Sequence, residues 1–480
     1  MNPTPQVFDR LFDLFEGAGF ELYMVGGCVR DLLLELEPKD YDFATDATPP
    51  QVKAVLEAGR LKVLPIGEAF GTIATLLEGV PYEITTYRVR ESYQKGSRHP
   101  QVVFGSDLRE DLGRRDLTIN AMAMSRNGVI VDPYGGQEDL AVGRLRVPGG
   151  GLAKTKEIFA DDPLRLLRVG RFAARFDFEP DDCTTLAAQK AAKTILEVSR
   201  ERWKSELDRL LVAPYCESGL YWLAEVGVLF YCLPELEDLL EVGGGVDAVA
   251  IDRSEGELDF DVSAFEHSIE LLSYLPERPL LRWAGLLHAV GLARLEPDSS
   301  TVLDHERSLT HSVFAARVGE RVARRLRASN EERDSLSLLL ALQGSTESIP
   351  EDLQERRLWA RRLVRDAGDL ELVEAILSFD VGRARYVLGE GEALEAFEAR
   401  IAVLRDLISE LDRKKELIVR LPTGLGGGLM EAGIPAGRRL GEIMEWLAEE
   451  ILEEHLGFAE ALGTYVTAAM AKLAGSADVE

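Results

Sequence analysis

A strand-like run, ELYMV, ends in Gly26 and Gly27; a helix-like segment carrying Arg30 and Asp31 follows, and a second strand-like run, DYDF, carries Asp40 and Asp42. No other segment constrains the chain as tightly. Alternate strand positions share a face, so two carboxylates two residues apart can grip the same metal ions. Two glycines at a helix start allow close backbone approach to a phosphate, whose charge the N–H groups and helix dipole favour. Arg30, one turn into that helix, can add a bidentate phosphate contact. A Gly-Gly pair alone is commonly a turn, and Asp-x-Asp alone a solvated strand edge. With twelve residues between Gly27 and Asp40 the combination is far more specific.

That pattern resembles the signature of the polymerase-β nucleotidyltransferase superfamily, which implies an α/β head whose paired aspartates bind two Mg²⁺ ions for phosphoryl transfer. The resemblance predicts a third carboxylate on a neighbouring strand. Glu83, in the alternating PYEITTYRVR, is the candidate; as an ordinary residue it would be a surface glutamate on an edge strand. The next block, DLGRRDLTINAMA at 111 to 123, sets Arg114, Arg115 and Asp116 together and then Asn120. Two adjacent arginines before an apolar run would alone read as a solvated turn; together with the earlier block they look like a triphosphate clamp.

The chain is 480 residues long, 46% hydrophobic and 29% charged, with mean hydropathy −0.06, which excludes disorder, collagen and a membrane-embedded protein. The N-terminus has no basic, apolar and small-residue order of a signal peptide, and no uncharged apolar run is long enough to span a bilayer. Four scattered cysteines predict reduced thiols and a cytoplasmic protein. The net charge of −28 is uneven: residues 1–230 carry −7 and residues 231–480 carry −21. A nucleic-acid partner would therefore meet a local basic patch, expected in the first half.

Texture changes often over residues 1–150, as in a mixed α/β domain, and turns helical from about residue 155. The expected division is a nucleotidyltransferase head at 1–150, a helical neck at 151–230, a helical body at 231–345 and a helical acidic tail at 346–480. Two breaks are expected, an acidic Gly-rich linker at 241–261 and PTGLGGGLMEAGIPAGRR at 422–439.

Six blocks in order, GGCVRD, DYDFAT, RRDLTINAMA, DPYGG, DDPLRLLRVGRFAARF and SRERWKSEL, resemble the class II tRNA nucleotidyltransferases (CCA-adding enzymes) and the related bacterial poly(A) polymerases over residues 20–215. The resemblance implies Gly26, Gly27, Arg30, Arg115, Asp116 and Asn120 at the nucleotide, and Asp40, Asp42 and Glu83 as catalytic, with Asp40 and Asp42 on Mg²⁺. It also implies Asp162, Arg165, Arg168 and Arg171 as nucleotide contacts. Asp161 stands where many relatives have Glu, so the carboxylate is kept. The implied partners are CTP, ATP and the 3′ end of a tRNA, with no membrane. The rival products are poly(A), CC alone or A alone; the stretch 88–111 is as long as in relatives that add all of CCA.

Arg165, Arg168, Arg171 and Arg175 recur every three to four residues and form one helical stripe. Beside a phosphate site it reads as a nucleotide-binding face, and otherwise as a salt-bridged surface. In the helical half, LRWAGLLHAVGL looks like an HD phosphohydrolase region, yet Ala289 follows His288 where a His-Asp metal dyad needs Asp. His267, His288, His305, His311 and His455 are accordingly expected to be packed or surface residues.

Overall fold

The computed structural model describes residues 6–64, 67–93, 100–242, 263–294, 305–453, 455–457 and 460–477. The head contains strands β1 (Tyr23–Val25), β2 (Asp42–Thr45), β3 (Lys62–Leu64), β4 (Thr72–Leu77), β5 (Val80–Thr86), β6 (Arg88–Tyr93), β7 (Pro100–Phe104), β8 (Ala123–Met124), β9 (Ile130–Val131) and β10 (Arg144–Leu145). Its helices are α1 (Asp9–Gly17), α2 (Gly27–Leu33), α3 (Pro49–Ala58), α4 (Leu108–Gly113) and α5 (Gly136–Val142). Seven strands form one mixed sheet in the order β3-β4-β5-β2-β1-β8-β9, and β6 pairs with β7 separately.

Strand alternation divides the sheet's two faces. Met24 and Phe43 point toward α1, whose Leu11, Phe12 and Phe15 are buried, and Phe8 stands edge-on to Phe43 at 5.1 Å. Val25 and Ala44 point the other way, into a smaller core with Tyr87, Leu108 and Leu112. Asp42 is two residues from Ala44 and so shares that second face. Within the stretch 88–111 the described residues form the β6–β7 pair and the start of α4.

Beyond the head, β11 (Glu179–Pro180) pairs in parallel with β10, so a short bridge ties the neck to the head. The neck helices are α6 (Leu152–Asp161), α7 (Leu164–Phe176), α8 (Asp182–Ala191), α9 (Arg200–Leu211), α10 (Cys216–Glu225) and α11 (Val228–Cys232). Then come α12 (Ala264–Glu270), α13 (Pro279–Leu287), α14 (His305–Arg325), α15 (Asn330–Leu342), α16 (Leu353–Ala367), α17 (Leu370–Leu388), α18 (Glu392–Arg413), α19 (Leu425–Glu431), α20 (Arg438–Leu452) and α21 (Leu462–Ala477). Several begin on capping boxes, such as Ser329 with Glu332 before α15.

The head-to-neck junction at Gly149–Gly151 has positive φ at all three glycines, which lets the chain turn sharply into α6. The stretch 346–480 packs as two units. Residues through Leu417 join the main core, while Leu425 to Ala469, on α19 to α21, build a core of their own. The expected break at 422–439 contains α19, because Leu425 and Leu429, one turn apart, bury into that second core. The linker expected at 241–261 lies almost wholly outside the described residues.

Candidate functional site

The sheet order brings the three head blocks together. In the parallel β2–β5 pair Asp42 stands opposite Glu83, and in the antiparallel β1–β2 pair it stands opposite Val25, the residue before Gly26. On the other side of β1, Val25 faces Ala123 of β8, the strand that ends the Arg114–Ala123 block. Glu83 therefore lies on an interior strand, not at an edge. The paired strand begins at Asp42, so Asp40 lies two residues before it, outside the ladder register but close enough for its charge to act on Asp42. All three carboxylates are exposed.

Desolvation, then the charges of Asp40 and Glu83, push the Asp42 carboxyl up to about 6, although the residue as a whole is exposed; Arg115 acts in the opposite direction. Such an accumulation of hard oxygen donors suits a cation of the magnesium kind, which keeps several waters and needs only one or two protein carboxylates. Among the described residues no three His, Cys, Asp or Glu side chains converge closely enough to form a cage.

Gly26 adopts φ 78°, and a Cβ there would lie 2.7 Å from Nη1 of Arg115. Only glycine accommodates both the left-handed backbone and the guanidinium packed on it. Gly27 has no such constraint, since an added Cβ would meet Arg30 at an ordinary 3.5 Å. The Gly26 N–H donates to the Met122 carbonyl at 3.1 Å, so it serves the fold rather than a phosphate. Arg115 also donates through Nη2 to Asp111, a buried carboxylate on α4 that accepts from Arg114 and from the Arg88 backbone as well. Burial alone would raise Asp111; Arg114 and Arg115 hold it below the usual range. Asp111 thus orients Arg115, and it was absent from the sequence-based candidates.

Arg30 is placed differently from its expected phosphate contact. It is 3% exposed, donates to Asp31 at 2.6 and 2.9 Å and to Asn120 at 2.5 Å, and lies over the rings of Phe172 and Phe176. Asn120 in turn donates to Asp116, which accepts from Arg168 Nε at 2.7 Å. Arg168 lies near Glu206, which accepts from Arg171 at 2.6 Å, and Arg175 reaches back to Asp31 at 3.3 Å. Burial alone would raise the Asp116 carboxyl; Arg168 and the Asn120 amide override it and hold the group well below the usual range.

The arginine stripe of α7 is therefore the seam between head and neck. Arg168 and Arg175 bind head carboxylates, Arg171 binds Glu206 of α9, and Arg165 donates to the Ile158 carbonyl at 2.9 Å. Of the two readings of the stripe, its salt-bridged one describes most of these contacts. Asp162 accepts from the Leu164 N–H at 3.2 Å and from Arg202 at 2.9 Å, so it both caps the start of α7 and is anchored by α9. Asp31, Glu206 and Arg202 complete the seam; Glu206 and Arg202 were not singled out from sequence, and Asp31 was noted beside Arg30 without a role.

In the body, His267, His288 and His311 are buried, with the first two rings 5.3 Å apart, and Ala289 is fully buried beside them. His288 Nδ1 lies 2.7 Å from the Gly285 carbonyl. These histidines are packed core residues, as expected; His455 is exposed beside Glu450, and the His305 side chain lies outside the described residues. No helix among the described residues is long and apolar enough to cross a membrane.

Residues 22–146 match the family described as poly A polymerase head domain, and residues 177–240 match that described as probable RNA and SrmB-binding site of polymerase A. The chain is 40% identical over 219 residues to a CCA-adding enzyme of Bacillus pumilus, covering 46% of this chain and 52% of that protein. It is 39% identical over 279 residues to a CCA-adding enzyme of Geobacillus thermodenitrificans, covering 58% and 61%. The chain thus spans about half the length of the curated relatives it matches. In overall fold it resembles the crystal structure of a Bacillus stearothermophilus CCA-adding enzyme in complex with CTP, at TM-score 0.66 and 24% identity over 99% of this chain and 100% of that one. A Thermotoga maritima CCA-adding enzyme complexed with tRNA follows at TM-score 0.53 and 20% identity, over 98% and 96%.

Proposed function

We propose that this chain, whose first half carries the poly A polymerase head and the segment matching a probable RNA-binding site, is a tRNA nucleotidyltransferase that adds C and A residues to tRNA 3′ ends from CTP and ATP without a template. The observation that carries this reading is the parallel register setting Asp42 beside Glu83, with the Gly26 turn and Arg115 across the adjoining strand. Asp40 and Asp42 would hold Mg²⁺, with Glu83 beside them, and the ions would neutralise triphosphate charge and acidify the attacking hydroxyl.

The chain's own residues supply position and charge. Arg115, fixed by Asp111 and by the missing Cβ of Gly26, faces the triphosphate. The primer's 3′-oxygen attacks the α-phosphorus in line, the new phosphodiester forms, and pyrophosphate leaves. Arg30, Asn120, Asp116 and Arg168 hold the neck at a set angle to that cleft, and Asp162 and Arg165 present the base-reading pair at the neck's entry. Residues 177–240 would take the RNA. The protein is read as cytoplasmic.

The name of the matched head domain favours one second reading, a poly(A) polymerase that uses ATP alone. Sequencing the 3′ ends made on a tRNA truncated before its CCA, with CTP and ATP supplied together, decides between them. Ends reading CCA support the proposal; homopolymeric A tails, CC alone or A alone would replace it with the corresponding rival.

A further inference from the structure

Residues 231–480 carry a net charge of −21, yet helix α14 presents a basic edge. Its buried side holds Ala315, Ala316, Val318, Val322 and Ala323. Arg317, Arg321 and Arg324, spaced at i, i+4 and i+7, lie on the opposite, exposed side. Arg317 and Arg321 form no ion pair with any described residue; Arg324 pairs with Glu320, with its own side chain 69% exposed. An exposed pair of this kind contributes little, so all three guanidiniums remain available to an anion.

The edge runs toward the neck. Arg325, at the end of α14, donates two bonds to Glu235 at 2.6 and 2.7 Å, within the segment proposed above to take RNA. Arg321 and Arg325 both lower the Glu235 carboxyl, and Arg325 lies close enough to Arg200 to act on its guanidinium. Arg200 opens α9, stacked on Trp203 at 3.5 Å, two residues before the Arg202 that anchors Asp162. With a rise of about 1.5 Å per residue, Arg317 lies roughly 12 Å along α14 from Arg325. A row of like charges leads from the nucleotide-reading end of the neck out along the body.

We infer that this edge is a track for the phosphate backbone of the RNA primer, engaging it away from the 3′ end through charge rather than sequence. The inference rests on the proposed nucleotide-adding function and locates where the acidic half meets its polyanion. Like charges gathered on an otherwise acidic surface repel one another, and a polyanion relieves that repulsion while releasing its own counterions. An acidic protein surface is the competing occupant; continuity with residues 177–240 favours RNA.

The test is binding of the full chain to a tRNA transcript lacking its CCA end, by fluorescence anisotropy across a series of KCl concentrations. Arg317→Gln, Arg321→Gln and Arg324→Gln together should make the slope of log Kd against log salt shallower by about two to three, roughly one per lost phosphate contact. Replacing the same three by Lys should restore the slope, because a point charge suffices for a phosphate. A control that removes equal charge from exposed arginines on other helices, away from the α14 edge, Arg365→Gln with Arg385→Gln and Arg438→Gln, should keep the wild-type slope. A Gln variant with wild-type melting temperature and wild-type slope would overturn the inference and point to an acidic protein instead. Because binding needs no chemistry, a wild-type chain that binds through the edge but incorporates nothing removes the enzymatic reading and leaves the edge standing. Incorporation with an unaltered slope does the reverse.

Discussion

Arg168 of α7 donates to Asp116 across the head-to-neck boundary at 2.7 Å, and Asp116 also accepts from Asn120, which Arg30 holds from the other side. The arginine-aspartate block of the head is thereby bolted to the helix that leads the neck. Its charge state controls more than a local contact. Asp116 is held well below the usual carboxylate range, so its stabilisation is fully present above the ordinary value of about 4 and is lost as pH falls toward its native value.

Asp116→Asn should therefore lower stability at neutral pH by about 1 to 2 kcal/mol, less than the scale for a fully buried charge left alone, because the Arg168 side chain is one-third exposed and keeps Glu206 nearby. The difference from wild type should narrow as pH drops below about 4, where the wild-type carboxylate begins to be neutralised. Urea denaturation at neutral and acidic pH measures both values. An equal difference at the two pH values would show that the pair's charge does not stabilise the seam.

The two glycines of the head turn should separate. Gly26→Ala forces a Cβ onto Arg115 and a left-handed backbone, so it should cost roughly 1 to 3 kcal/mol and raise KM for nucleotide by displacing the guanidinium. Gly27→Ala meets ordinary contacts at the start of α2 and should melt like wild type. Thermal unfolding of the two variants side by side checks this, and equal destabilisation would contradict the geometry.

Asp40→Ala and Asp42→Ala should each reduce incorporation by about 100-fold or more, the scale for losing one charge-stabilising element. Neither should lower the melting temperature. Asp42 stands against Asp40 and Glu83, so removing its charge relieves repulsion. Wild-type turnover of either variant in Mg²⁺ would end the nucleotidyltransferase reading.

The local half of this site was legible in sequence, and the long-range half was not. Gly26, Asp42 and Glu83 were visible because glycine pairs and strand alternation are short-range signals, and a parallel register then sets the carboxylates side by side. Asp111 and Glu206 were not, although Asp111 lies three and four residues from Arg114 and Arg115, a spacing that helical pairing explains, and Asp31 was visible beside Arg30 but not as a partner of the neck. Arg175 meets Asp31 across 144 positions and Arg171 meets Glu206 across 35, and nothing in a single sequence chooses those partners among the chain's 83 acids. The stripe of α7 was correctly placed on one helical face, but which face met carboxylates depended on how the neck docks. Helix α19 was misread as a break because its three glycines depress helix propensity, which burial of Leu425 and Leu429 overrides.

The body should show no metal-dependent hydrolysis of 2′,3′-cyclic phosphate. Ala289 supplies no ligand where the dyad needs one, and His267 and His288 are packed ring against ring in the core. Assaying the full chain with Mn²⁺, Ni²⁺ or Co²⁺ checks this; hydrolysis that disappears in His288→Gln would show that the region holds a working metal site despite Ala289.

A protein without a template must distinguish C and A from U and G by its own groups. Cytosine and adenine present an amino donor beside a ring-nitrogen acceptor, whereas uracil and guanine present a carbonyl beside a ring N–H. A carboxylate next to a guanidinium matches the first pattern and opposes the second. Asp162 and Arg165 are the proposed pair, and each is already steadied: Asp162 by Arg202 and the Leu164 N–H, Arg165 by the Ile158 carbonyl. An unpaired buried polar group costs about 1 to 3 kcal/mol, so two mismatches suffice to reject UTP and GTP by a few orders of magnitude. Asp162 also caps α7, and losing a cap costs about 1 kcal/mol, so its removal should lower the melting temperature modestly as well. The two roles are separable by readout. Asp162→Ala with Arg165→Ala should incorporate UTP and GTP at rates approaching those for CTP and ATP, with overall activity reduced. Arg202→Gln, which removes the anchor but keeps both readers, should erode discrimination only partly. If the double variant loses stability while its choice of nucleotide is intact, Asp162 is a cap alone and the base is read elsewhere.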